Sequence, residues 1–218
     1  MFSRHDLVWL TGAGWDAALV RALPGQHAAI EQWQREDWPA VVRRADATLS
    51  PGQVSLGIPL PPSPSPSSDG VKGRIALVAA HGDVARRTAP LALADAARAA
   101  PERWRPALAS LASGVPLRAY GSLAMQAVTG QPYLRAASDI DLLFFPADAQ
   151  ALRTGLALIE EHAAVLPLDG EIVFPSGAAV AWKEWIGAAS NGARVLVKDA
   201  GAVRLATIGH LLVTLEAA

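Results

Sequence analysis

GSLAMQAVTGQPYLRAASDIDLLFF, residues 121–145, is the stretch whose reading decides the fold. Asp139 and Asp141 stand two apart at the head of a bulky apolar run, and Gly121-Ser122 stand where a helix begins. The upstream PLRAYGS (116–122) reads as a strand entering a turn. LAMQAVTG (123–130) reads as a short helix with Ser122 as its N-cap and Gly130 as its stop. DIDLLFF (139–145) reads as a strand. In a strand, residues i and i+2 share a face about 7 Å apart, so Asp139 and Asp141 face one way while Ile140 and Leu142 face the core. Two close carboxylates repel and resist burial unless a cation relieves them. Magnesium or manganese does so well when substrate phosphates complete its oxygen shell. The plain alternative is a pair of solvated aspartates at the mouth of an edge strand. Gly121 adds a tight turn and close backbone approach. The helix that follows adds unpaired N–H groups suited to an anion.

The remainder of the second half supports a sheet around this motif. DAQALRTGLALIEEHA (148–163) has apolar residues at helical spacing. EIVFPSGAAVAWKEW (171–185) reads as two strands joined at Pro175-Ser176-Gly177. ARVLVKD (193–199) reads as a strand, and the final segment closes with a helix. The Ala- and Leu-rich stretch 89–112 reads as helix, with Pro101 and Pro106 marking a start or kink. In the first half, helices are expected near 15–22 and 25–35, and strands at 38–44, 52–60 and 73–80. The Pro/Ser-rich stretch 60–70 between the last two is expected to be a hairpin loop rather than a domain linker. The sum is an α+β chain: a small accessory domain over 1–88 and a mixed sheet with packed helices over 89–218.

Composition narrows the function. A net charge of −1 and a pI near 6.5 disfavour nucleic-acid binding. The chain has no cysteine, which removes disulfides and thiolate chemistry, and its five histidines lack ligand spacing. No apolar run is long enough for a membrane span and none reads as a signal peptide, so a cytoplasmic protein is expected. GAGWDA (12–17) fits a loose dinucleotide pattern but lacks the following parallel strand. RHD (4–6) reads as a surface or interdomain ion-pair cluster, and the seven tryptophans as core and interface anchors, one or two of which could stack on adenine.

Strand, Gly-Ser, helix, then a strand with Asp-x-Asp resembles the DNA polymerase β-like nucleotidyltransferases. That resemblance implies that Gly121 and Ser122 bind the terminal phosphates of a triphosphate and that Asp139 and Asp141 bind metal. It also implies a third carboxylate from a later strand. Asp169 and Glu171 in LDGEIVF are the candidates, Glu171 being favoured as metal ligand and base because it opens the clearer strand. The 17-position gap from Ser122 to Asp139, filled by TGQPYLRAA, narrows the family. RAYGSLAMQAVTGQPYLRAASDIDLLF, with RHDLVWL, LGIPLPP, GRIAL and DGEIVFPSGAAVAWKEW, resembles the phosphoribosyl-dephospho-CoA transferases, the holo-acyl-carrier-protein synthases of malonate decarboxylase. This implies transfer of phosphoribosyl-dephospho-CoA from 2′-(5-triphosphoribosyl)-3′-dephospho-CoA to a carrier-protein serine, with pyrophosphate leaving. Arg135, beside the metal strand, is a candidate triphosphate contact. Lys183, Arg194 and Lys198, expected on late strands, are further phosphate candidates, and with Arg118 and Arg135 they are candidates for receiving an acidic carrier. The competing expectations are an ATP-dependent adenylylating relative and a non-catalytic carrier-binding module.

Overall fold

The computed structural model describes residues 2–45, 49–62, 73–199 and 201–216. The chain divides into two units, Met1–Pro90 with Gln131–Tyr133, and Leu91–Gly130 with Leu134–Ala218. Both combine helices with sheet, so the α+β class expected from sequence holds.

In the first unit the chain runs through β1 (Leu7–Leu10), α1 (Gly12–Arg21), α2 (His27–Arg35), β2 (Ala40–Val42), β3 (Gln53–Pro59), β4 (Arg74–Ala80) and β5 (Val84–Thr88). The five strands form an antiparallel sheet in the order β4-β3-β2-β1-β5. β3 and β4 pair without interruption from Gln53↔Ala80 to Pro59↔Arg74, the hairpin expected on either side of the Pro/Ser-rich stretch. Residues 63–70 of that stretch lie outside the described residues. Thr11 caps α1, its Oγ1 accepting from the Gly14 N–H at 3.1 Å. β1 ahead of it has only antiparallel neighbours, so GAGWDA is a capped helix start and no dinucleotide-binding turn. Within RHD, Asp6 does form an ion pair, with Arg87 at 3.3 Å, but it is buried rather than at the surface: it is 3% exposed and also accepts from the Ser3 N–H. Tyr133, buried here, donates its hydroxyl to the Pro59 carbonyl at 2.6 Å.

The second unit carries β6 (Leu91–Ala92), α3 (Leu93–Ala96), α4 (Arg105–Gly114), β7 (Leu117–Ala119), α5 (Gly121–Thr129), β8 (Ile140–Phe144), α6 (Ala149–Ala163), β9 (Leu168–Val173), β10 (Ala179–Ala181), α7 (Trp182–Asn191), β11 (Val195–Lys198), β12 (Val203–Ala206) and α8 (Ile208–Glu216). Its seven strands lie in the order β12-β11-β10-β9-β8-β7-β6. Of the described pairs, only β8–β9 is parallel, bridged by the α6 crossover. The helix expected over 89–112 is broken. Pro101 caps a single turn at Glu102–Trp104, and Pro106 sits in the first turn of α4, where its missing N–H is harmless. The second half of EIVFPSGAAVAWKEW is also corrected. Its strand ends at Ala181, and WKEW opens α7 because Trp182, Trp185 and Ala188, at helical spacing, pack into the core.

One large core joins the helices to one face of this sheet. Leu108 and Leu111 of α4, Leu152 and Ile159 of α6, Trp185 of α7 and Leu211 of α8 pack on Leu117, Ile140, Leu142, Phe144, Ile172 and Val195. Gly170 lets β8 and β9 close up. Its φ is +141°, and a Cβ there would strike the Leu142 carbonyl. Trp15, Trp33, Trp38, Trp104, Trp182 and Trp185 are buried, and Trp9 lies beneath the Arg86 guanidinium at 3.9 Å, so the tryptophans are spent on packing. No helix among the described residues is long and apolar enough to cross a membrane.

Candidate active site

The helix-side core takes Ile140, Leu142 and Phe144 of β8 and Leu168 and Ile172 of β9. Alternation therefore sends Asp141 and Leu143, Asp169 and Glu171, to the opposite face. Register completes the placement. Asp141 is the direct partner of Asp169, about 5 Å away across the ladder, and Glu171 is partner to Leu143, one pleat repeat further on. Asp139 lies one residue before β8 and is exposed. Of the two third-carboxylate candidates, Asp169 is therefore the one that faces Asp141.

Lysines attend both later carboxylates. Lys183 Nζ lies 3.5 Å from Asp169 Oδ1, with both side chains about half exposed. Lys198 Nζ donates to Glu171 Oε1 at 2.9 Å, and this carboxylate is 5% exposed. Lys183 is not on a strand as expected; it is the second residue of α7, which begins where β10 ends beside the start of β9. Arg194 stands just before β11, and Lys198 is that strand's last residue. No group of three His, Asp or Glu among the described residues gathers closely enough to hold a metal ion. Asp141 and Asp169 still suit an ion of the magnesium type, which takes one or two protein carboxylates and fills its shell from phosphates and water.

Gly121 abuts this pair. Its φ is +65°, and a Cβ there would overlap Asp141 Oδ2 and lie 3.1 Å from its Cγ. The Tyr120 N–H holds the strand end by donating to the Asp141 carbonyl at 3.0 Å. Helix α5 begins two residues earlier than expected. Its N-cap is Tyr120, with no side-chain capping bond, so Ser122 is not the cap; it is the second helical residue and is 4% exposed. The Gly-Ser pair thus sets a helix N-terminus against the aspartate face, where the helix dipole favours an anion.

The segment between α5 and β8 is held at three points, of which the sequence reading supplied the first, the Gly130 stop, and missed the other two. Gly130 closes α5 in the left-handed conformation. The Gln126 side chain donates to the Ala99 carbonyl at 2.7 Å and accepts from the Leu134 N–H at 2.9 Å. Ser138, buried next to Asp139, accepts from the Arg135 N–H at 2.9 Å and returns its own N–H to the Arg135 carbonyl at 3.0 Å. That closed turn fixes the approach to Asp139 and leaves Arg135 exposed at its start. Its signal in sequence was a serine three residues after Arg135, a spacing suited to a side-chain-to-backbone turn.

Comparison with known proteins matches residues 3–90 to the Phosphoribosyl-dephospho-CoA transferase MdcG N-terminal domain and residues 92–208 to the C-terminal domain of the same family. The chain belongs to the phosphoribosyl-dephospho-CoA transferase MdcG family. This transferase is 42% identical over 213 residues to a phosphoribosyl-dephospho-CoA transferase of Xanthomonas campestris pv. campestris strain 8004, covering 94% of each chain. It is 41% identical over 207 residues to one from Xanthomonas euvesicatoria pv. vesicatoria, covering 91% of each. A Bradyrhizobium diazoefficiens relative of the same name is 37% identical over 212 residues, covering 90% of this chain and 86% of its own. No solved structure matches the transferase.

Proposed function

We propose that this transferase moves phosphoribosyl-dephospho-CoA from 2′-(5-triphosphoribosyl)-3′-dephospho-CoA to a serine of the malonate decarboxylase acyl carrier protein. The observation that carries the reading is Gly121 set against Asp141, opposite Asp169. One contact brings together a phosphate-binding helix start and a carboxylate pair. In this reading the carrier serine Oγ attacks the donor's α-phosphorus, the α–β bridging P–O bond breaks, and pyrophosphate departs. The leaving pyrophosphate lies at the start of α5, by Gly121 and Ser122, and Arg135 and Lys183 offset its charge. Asp169 accepts the serine proton, because it is half exposed where Glu171 is buried against Lys198.

Magnesium or manganese held by Asp141 and Asp169 would supply charge neutralisation on the donor phosphates. The chain's own contribution is alignment: a rigid sheet face and a fixed helix terminus that hold the donor in line with an incoming hydroxyl. The nucleophile belongs to the partner, consistent with a chain that has no cysteine. The reading places the enzyme in the cytoplasm, with the carrier subunit as its macromolecular partner and no role in binding nucleic acid.

Intact-mass spectrometry of the purified carrier subunit tests it. Incubation with enzyme, donor and magnesium should add one phosphoribosyl-dephospho-CoA unit to a single serine, and ATP in place of the donor should add nothing. An adenylyl adduct from ATP would replace this reading with an adenylylating one. No adduct from either donor would remove it.

A further inference from the structure

The Lys198–Glu171 pair is not absorbed by the chemistry above. Lys198 is the register partner of Ala179 on β10, and Ala181 is the register partner of Glu171. The lysine side chain therefore crosses the whole width of β10 to reach a carboxylate two strands away, about 10 Å in strand spacing. It can do so because the two β10 residues on this face are alanines; longer side chains there would stand in its path. The carboxylate is buried, whereas the lysine side chain is 38% exposed. The pair thus holds an ammonium in a fixed place with its outer side in solvent. One of its three N–H donors goes to Glu171, and its position is set by a buried anchor.

We propose that Lys198 binds the internal diphosphate of the dephospho-CoA arm, and that Glu171 is the positioning residue that presents it. The inference rests on the donor named above, whose chemistry requires two anion sites: one for the triphosphate and one for the diphosphate that links adenosine to the pantetheine arm. The start of α5 beside Asp141 serves the first. The Lys198 ammonium lies off the Asp141–Asp169 row by one pleat repeat, about 7 Å along the strands, an offset that sugar rings between two phosphate groups can span. Arg118, the register partner of Leu143, lies on this further row as well.

Equilibrium binding of two fragments of the donor tests this: dephospho-CoA, which lacks the triphosphate, and inorganic tripolyphosphate, which lacks everything else. Lys198→Met should weaken dephospho-CoA binding about tenfold or more while leaving tripolyphosphate binding unchanged, and Lys198→Arg should restore most of the loss. Glu171→Gln should raise the donor KM several-fold with kcat nearly constant, and a melting curve establishes that the variant is folded. Wild-type dephospho-CoA affinity in Lys198→Met overturns the proposal, as does an equal loss of tripolyphosphate. So does a collapse of kcat in folded Glu171→Gln at saturating donor, which would make that carboxylate catalytic. Each of these leaves the transferase reading intact. If the wild-type enzyme binds neither dephospho-CoA nor the full donor, the reading of the donor falls and this inference with it.

Discussion

Asp141 and Asp169 stand opposite each other in the one parallel strand pair described in the sheet, on strands about 5 Å apart, with the Lys183 ammonium against the second. Like charges at that spacing disfavour the folded chain unless a cation attends them. Lys183 attends Asp169 in this way, 3.5 Å from its Oδ1.

Asp141→Asn should remove transfer, by roughly 100-fold or more, in a variant that still melts cooperatively. Asp139→Asn, at an exposed position, should lose activity with no change in stability. Turnover within threefold of wild type in either variant would remove the carboxylate face from the mechanism.

Metal affinity separates the two later carboxylates. In a manganese titration followed by electron paramagnetic resonance, Asp169→Asn should weaken binding by about tenfold or more, since even a group that only positions a ligand is worth about that much. Glu171→Gln should leave it unchanged. The opposite ranking would return Glu171 to the role that the sequence alone suggested for it.

Gly121→Ala forces a Cβ into the Asp141 carboxylate at a left-handed backbone position. The conformational cost alone is about 1–2 kcal/mol, so both stability and transfer should fall. Gly187→Ala in α7, where a Cβ meets nothing within 4 Å, is the control and should stabilise by up to about 1 kcal/mol. If the two variants unfold alike in urea, the close approach at Gly121 is not real.

Gln126→Ala strips two hydrogen bonds from the segment that leads to β8. A loss of about 1–3 kcal/mol is expected, because the Ala99 carbonyl and Leu134 N–H are left to find new partners. Urea midpoints measure it; a shift under 0.3 kcal/mol would mean that the segment is held by other contacts.

Much of this architecture was legible because periodicity and capping act locally. Apolar spacing over 148–163 marked α6, and the structure adds its N-cap, Asp148, which accepts from the Ala151 N–H at 2.7 Å. The β3–β4 hairpin followed from two apolar runs on either side of a breaker. WKEW was misread because two tryptophans three apart fit a strand rich in aromatics as well as one face of a helix, and only packing on the core decides between them. Ser122 was misplaced because Gly121 enters α5 with a positive φ, so the helix starts one residue before the serine. The partner of Asp141 was out of reach for a different reason. Register between strands that are distant in sequence is set by the whole sheet, and neither Asp169 nor Glu171 carries a local mark of which one lies opposite.

The parallel pairing also decides when the site comes into being. A hairpin aligns its residues as soon as a short turn closes, but β8 and β9 can meet only after α6 has formed and folded back over the sheet. Asp141 and Asp169 arrive from opposite ends of that crossover, so a nascent or partly folded chain has the residues but not the constellation. Activity is thereby tied to a contact that closes only with the crossover. A cation that prefers the closed pair would draw the last folding step forward by mass action, leaving incompletely folded chains silent.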